Sequence, residues 1–159
     1  MENLTIGRQE ALSAYDGAND QEKSFLEKLF GKSAFEKDIV DRLQTFSDVL
    51  EVNGTDPVEF EKSLAGLSPD EVAYRQIKEI VKAYNQGWIP DWDNSNETKY
   101  VPWFDMRNSS GSGFADIGYG YGYSNAYVGS RLCFSKRKHA EDAGKKFTPI
   151  YKNFFVINK

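Results

Sequence analysis

The stretch Ile117-Gly118-Tyr119-Gly120-Tyr121-Gly122-Tyr123 is the strongest constraint on what this chain can fold into. A two-residue period held over seven positions is the repeat of a β-strand, whose successive side chains point to opposite faces. Ile117, Tyr119, Tyr121 and Tyr123 therefore share one face, and Gly118, Gly120 and Gly122 share the other. Two readings of the tyrosines follow. Open to solvent, they form a stacking platform for bases, as aromatic-rich sheets do with single strands. Covered by a helix, they are packing rings whose hydroxyls reach water or partners. The glycine face would let a helix or a ligand come close to the backbone.

The flanking segments extend the sheet. Ser124-Asn125-Ala126 can turn the chain into a second strand over 127–134, the expected hairpin partner. Residues 99–106 also have strand composition, with Pro102 restricting them to an edge or a bulge, and 108–113 read as a loop of Asn, Ser and Gly. Ser135 is the expected cap of a final helix that carries Ala140, Ala143, Phe147, Ile150, Tyr151 and Phe154 on one face. Thr148-Pro149 should kink or restart that helix.

Ahead of the sheet the periodicity is helical. Asp20 is the expected cap of a helix with Phe25, Leu26, Leu29 and Phe30 in one apolar stripe, ended by Gly31. A second stripe runs through Phe35, Ile39, Val40, Leu43 and Phe46, with Thr45 as a cap for a short helix bearing Val49 and Leu50. A further short helical piece fits 58–64. Ser68-Pro69-Asp70-Glu71 then gives a cap, a first-turn proline and a glutamate three residues on. Val72, Ala73, Ile77, Ile80, Val81 and Tyr84 repeat behind it at helical spacing until Asn85-Gln86-Gly87. Such apolar faces are ordinarily core.

These readings give an α+β fold: an N-terminal helical part over 1–87, then a small antiparallel sheet and a C-terminal helix packed on it over 88–159, in one compact domain. Charge follows a similar division. Residues 1–98 carry a net charge of -10 and residues 99–159 one of +6, and the latter hold 13 of the 23 aromatics. A basic, aromatic part joined to an acidic one implies either division of labour or two complementary layers packing on each other. No apolar run approaches a membrane span and no signal-peptide core is evident. With a single cysteine, Cys133, no internal disulfide can form, and a cytoplasmic location is expected.

The run Ala83-Tyr84-Asn85-Gln86-Gly87-Trp88-Ile89-Pro90-Asp91-Trp92, followed by Lys99-Tyr100-Val101-Pro102-Trp103-Phe104, resembles a small protein family of Bacteroides-type phages and prophages. Val128-Gly129-Ser130-Arg131-Leu132-Cys133-Phe134, with Ala140, Gly144, Phe147 and Tyr151, is similar to the ending of that family. Leu29-Phe30-Gly31 and Asp41-Arg42-Leu43 extend the likeness over most of the chain. The resemblance implies a phage or prophage origin, in the host cytoplasm, and supplies no activity or catalytic residue. The sequence departs from the pattern after Ser135, where an acidic residue is expected and Lys136-Arg137-Lys138-His139 stands.

Little else points to chemistry. Asp91, Asp93, Ser95 and Glu97 alternate like the start of a calcium loop, but Asn96 replaces the required glycine and Pro102 the closing glutamate. No metal site is assigned. Cys133 and His139 are the only thiol and imidazole, one on an expected strand and the other on a helix, and a buried cysteine acts as a small hydrophobe. No phosphate-loop glycine motif, nucleophile elbow or zinc spacing occurs, no carboxylate pair is singled out, and no cofactor is implied. Trp88, Trp92 and Trp103 fit a rigid aromatic cluster in the core or the wall of a pocket.

The expected function is therefore non-enzymatic: a phage accessory protein that binds nucleic acid or a phosphorylated small molecule such as a nucleotide. The expected site joins Tyr119, Tyr121 and Tyr123 with Arg131, Lys136, Arg137 and Lys138. Cations in a first helical turn face the positive end of the helix dipole, so a bound phosphate would offset their cost. The alternative is a structural or protein-interaction component whose aromatics form core and oligomer interface, with no small ligand.

Overall fold

In the computed structural model of the chain, residues 7–31, 34–35, 38–106, 117–125 and 131–156 are described. The chain divides into two compact units, Met1–Asp38 and Ile39–Lys159. The first holds helices α1 (Arg8–Gly17) and α2 (Asp20–Phe30). Asn19, rather than Asp20, caps α2. Its side-chain oxygen accepts from the N–H groups of Gln21 and Glu22 at 3.0 and 3.1 Å, and Glu22 accepts from the Asn19 N–H at 2.9 Å. This reciprocal arrangement satisfies both chain directions at the helix start, and moves the cap one residue earlier than the apolar pattern suggested. The Tyr15 ring stacks on Phe35 at 4.4 Å, and its hydroxyl donates to Glu27. The apolar stripe of α2 does not become core: Phe25, Leu29 and Phe30 are 61%, 58% and 51% exposed.

The second unit is mixed helix and sheet. It contains α3 (Ile39–Arg42), α4 (Phe46–Asn53), α5 (Pro57–Ser63), α6 (Pro69–Asn85), strands β1 (Lys99–Phe104) and β2 (Ile117–Gly122), α7 (Arg137–Lys146) and α8 (Thr148–Phe155). The long apolar pattern from Phe35 to Phe46 thus yields only one short helix, α3, among the described residues. Thr45 caps α4 as expected, with Asp48 completing the box. α6 is the spine of the unit. Its stripe of Ala73, Ile77, Ile80, Val81 and Tyr84 is buried, and it packs on α4 and α8. Phe104, Leu132, Phe134, Ala140, Phe147 and Tyr151 join it in one core, so the core is built from both sides of residue 87.

β1 and β2 form an antiparallel pair with Tyr100 opposite Tyr121, Pro102 opposite Tyr119 and Trp103 opposite Gly118. Among the described residues the partner of β2 is β1, which the sequence did not single out. Of the expected partner strand at 127–134, residues 127–130 lie outside the described residues, Arg131–Cys133 are irregular, and Phe134 makes a single bridge to Tyr100. Tyr100 and Phe134 exchange both backbone bonds, at 3.0 and 2.7 Å. Backbone groups two residues apart on a strand point the same way, so the next position facing Phe134's segment is Pro102, which has no N–H to offer. Pairing stops there.

α7 lies across both strands. Ser135 is not its cap. The N-cap position is Lys136, without a side-chain bond, and the Ser135 N–H instead donates to Asn85 at 3.1 Å. The expected final helix is two helices: α7 ends at Lys146 and α8 starts at Thr148, with Pro149 in the first turn where its missing N–H costs nothing. The Thr148 hydroxyl donates to the Gly144 carbonyl at 2.7 Å across the junction.

Candidate functional site

The strict alternation of β2 does what a strand requires of it. Tyr119 and Tyr121 fall on the face that also carries Tyr100, Pro102 and Phe104 of β1, and the chain beyond β2 brings Tyr123 beside Tyr121. The rings form a ladder. Tyr100 to Tyr119 is 6.0 Å between centroids, Tyr119 to Tyr121 is 6.4 Å with an interplanar angle of 29°, and Tyr121 to Tyr123 is 6.0 Å edge-on. These separations lie in the range where aromatic pairs attract one another. One end of the ladder is covered and the other is not. The Arg137 guanidinium sits 4.1 Å from the Tyr119 ring centre, whereas Tyr121 and Tyr123 are 54% and 45% exposed. The two readings of the tyrosines thus divide between the residues: Tyr119 packs, and Tyr121 and Tyr123 stand open.

On the glycine face the neighbours are side chains of β1. A Cβ on Gly120 would lie 3.3 Å from a Val101 methyl, and one on Gly118 would lie 3.6 Å from the Trp103 ring. Gly118, Gly120 and Gly122 themselves stay half-buried.

Arg137 is held from two sides. It lies over Tyr119, and its Nε and Nη2 both reach Glu141 Oε1 at 3.1 Å, one turn along α7. Lys136, Arg137 and Lys138 are exposed, and the first turn of α7 contains no acidic residue. The positive helix end therefore has three cations and no side-chain cap, with Glu141 as a partial internal counter-charge. Arg131 is placed elsewhere. It is exposed and lines a cleft with Lys82, Trp88 and Ile89 whose lining includes none of the tyrosines or the α7 cations.

A third cluster went unnoticed in the sequence. Lys99, 2% exposed, is among the most deeply buried side chains of the protein. Its ammonium reaches Glu97 Oε1 at 3.1 Å, donates to the Asn94 carbonyl at 3.2 Å and to the Asp91 carbonyl, and lies 5.4 Å from the Trp92 ring centre. Glu97 also accepts from the Asp91 N–H at 2.9 Å and the Trp88 indole N–H at 3.3 Å. The Asp91 N–H, with help from Lys99, holds the Glu97 carboxyl below its ordinary range. The acidic alternation that looked like the start of a calcium loop is thus a loop wound around the chain's own ammonium group. Among the described residues no group of three or more His, Cys, Asp or Glu converges as metal ligands. Burial raises the Cys133 thiol, which keeps it protonated and a poor nucleophile.

No family model, curated protein or solved structure matches this chain. The site must be read from its own geometry. Of the expected residues, the structure brings Tyr119, Tyr121, Tyr123 and Arg137 into one contiguous group. It sets Arg131 in the cleft, and leaves Lys136 and Lys138 at the same helix end as Arg137. The tryptophans do not form a core cluster: Trp88 lines the cleft, Trp92 lies under Lys99, and Trp103 is half exposed. The cleft itself had a signal in the sequence. Lys78, Val81, Lys82 and Asn85 recur at the spacing of one helix face, beside the positive-φ pair Gln86 and Gly87.

Proposed function

We propose that the protein is a non-enzymatic phage accessory protein that binds single-stranded nucleic acid. Bases stack on Tyr121 and Tyr123, Arg137 steadies the inner ring Tyr119, and Lys136 and Lys138 face the phosphates. One observation carries this reading: the aromatic ladder begins under α7 and continues out of the covered region through two exposed rings. Stacking of a base on an aromatic ring is worth roughly 1–3 kcal/mol and tolerates any sequence. The uncapped, cationic start of α7 adds the electrostatic part. The phage origin rests on the likeness of the 83–104 and 128–134 segments to the phage family.

The test is fluorescence anisotropy with a short labelled single strand. Tyr121→Ala and Tyr123→Ala should each cost ~1–3 kcal/mol of affinity with the melting temperature unchanged. Joint replacement of Lys136 and Lys138 by Glu should weaken binding and flatten its salt dependence. Full affinity in both tyrosine variants would end the proposal.

A second reading has its own observation. Phe25, Leu29 and Phe30 form an exposed apolar stripe on α2, which favours a protein-interaction role for that helix. A parent protein that binds no oligonucleotide but self-associates, and becomes monomeric in Leu29→Glu, would select this reading.

A further inference from the structure

The cleft that contains Arg131 is a second site, built from residues that the tyrosine ladder does not use. Its volume is about 370 Å³, within the range of small-molecule sites. One wall is the last two turns of α6, where Lys78, Val81, Lys82 and Asn85 lie on one face. The helix is then broken by two residues in the left-handed region, Gln86 at φ 47° and Gly87 at φ 87°. A left-handed non-glycine residue is uncommon and costs energy, and here it ends the helix just before Trp88, Ile89 and Pro90, which also line the cleft. Arg131 and Cys133 complete the cleft.

The walls are tied in place. The Asn85 amide donates to the Cys133 carbonyl at 2.8 Å and accepts from the Ser135 N–H at 3.1 Å, which fixes the segment bearing Arg131 to the end of α6. The Trp88 indole N–H donates to Glu97 at 3.3 Å. Ile89 is 82% exposed, an isoleucine held in water at the cleft rather than used in the core. Among the described residues three cations line the cleft and no carboxylate does. Lys78 leans on the Tyr74 ring, its ammonium 5.5 Å from the ring centre, which leaves Lys82 and Arg131 as the cations best placed to meet a ligand.

We infer that this cleft binds a nucleoside monophosphate, with its phosphate on Arg131 and Lys82 and its base against Trp88 and Ile89. The pairing of residue types carries the choice of ligand. A guanidinium presents parallel N–H donors that fit phosphate oxygens in a two-pronged contact, and a lysine adds a point charge. A flat wall of indole, isoleucine and proline suits a planar ring and offers nothing to a second charge. The nucleotide could be free or the 5′-terminal residue of a strand, and both present the same group.

The experiment is calorimetric titration of the full chain with AMP, adenosine, inorganic phosphate and a 5′-phosphorylated oligonucleotide. AMP should bind, with adenosine and phosphate each weaker by roughly tenfold or more. The joint variant Lys82→Gln, Arg131→Gln should lose AMP binding at a melting temperature close to the parent's, since both side chains are exposed, and should still bind unphosphorylated single strands on the ladder. Tyr121→Ala should bind AMP as the parent does. Competition by AMP against the phosphorylated but not the unphosphorylated oligonucleotide would mark the strand terminus as the source, and no competition with either would mark the free nucleotide. The inference is overturned if AMP gives no saturable heat at millimolar concentration, if adenosine binds equally well, or if AMP binding survives the joint variant or is lost in Tyr121→Ala. None of these outcomes depends on whether the ladder binds nucleic acid.

Discussion

Replacing Lys99 by Met tests a deeply buried and heavily engaged charge. Methionine keeps the unbranched stem and close to its volume, so the change removes the ammonium and little else. The ammonium makes an ion pair with Glu97 at 3.1 Å and donates to two carbonyls, of Asn94 at 3.2 Å and of Asp91. A hydrogen bond to a charged group contributes about 1.5–3 kcal/mol net, and removing one partner of a buried pair costs about 3–5 kcal/mol. Two features lower the sum here. Glu97 keeps its bonds from Asp91 and Trp88, and its side chain is 27% exposed, so water can replace the lost partner. A loss of ~2–4 kcal/mol is expected. Urea denaturation followed by tryptophan emission reads it directly, because Trp92 lies under the ammonium. An unchanged slope with a lowered midpoint is the expected form of the result. A loss below ~1 kcal/mol would mean that the ammonium is not the centre on which the 88–99 loop is wound. Because that loop carries Trp88, the variant should also weaken AMP binding.

Other consequences are more local. Asn85→Ala leaves the Cys133 carbonyl and the Ser135 N–H without their partner and should cost about 1–3 kcal/mol in the same denaturation assay. Among the described residues the buried Tyr151 hydroxyl has no hydrogen-bond partner, so Tyr151→Phe should be neutral or stabilising, and a clear fall in melting temperature would show a missed partner. The Ser68 hydroxyl lies 2.7 Å from both Asp70 Oδ1 and Glu71 Oε2, which share its single proton. The Ser68 hydroxyl chiefly lowers the Asp70 carboxyl, and the Ser68 N–H, followed by the hydroxyl, lowers Glu71. A carboxyl lowered on folding stabilises above its unfolded pKa of about 4 and loses that contribution as the pH falls through the folded value. Ser68→Ala should therefore melt below the parent at pH 7, and the gap should close as the pH drops below about 4.

What the sequence made legible was local. The β2 alternation, the α6 start at Ser68-Pro69 and the break at Thr148-Pro149 each depend on residues within a few positions, and each stands in the structure. Where the reading failed, distant partners decided. β1 is a neighbour of β2, and nothing within β2 marks 99–104 as its partner. Lys99 read as an ordinary strand-end lysine, because its partners Asp91, Asn94 and Glu97 matter only once the loop closes. Capping positions moved by one residue at Asn19 and Lys136, since the apolar period marks where a helix faces but not where its first free N–H is met. The stripe on α2 showed the right period, yet period alone does not say whether a face is covered.

Among the described residues the sheet has two strands, and this bears on where the tyrosine ladder stands. Two strands alone are marginal in water and need a packed face. β1 and β2 obtain it on one side only, where Phe104 and the inner ring Tyr119 lie among the core residues and α7 crosses both strands. On the opposite side Val101 and Trp103 neighbour the glycines, and Trp103 stays half exposed. Once the inner half of the ladder is packed, the sheet is secured, and exposed rings at Tyr121 and Tyr123 add area in contact with water without adding to the core. Glycines alternate with them up to Gly122, so β2 keeps its rings on one side to its end. Tyrosine is itself a favoured strand residue, and Tyr121 stands opposite Tyr100, so ring pairing along the strand is one role of the outer rings. The paired alanine substitutions at Tyr121 and Tyr123 separate that role from the proposed one: a fall in melting temperature reports pairing, and a loss of oligonucleotide affinity with the fold intact reports stacking.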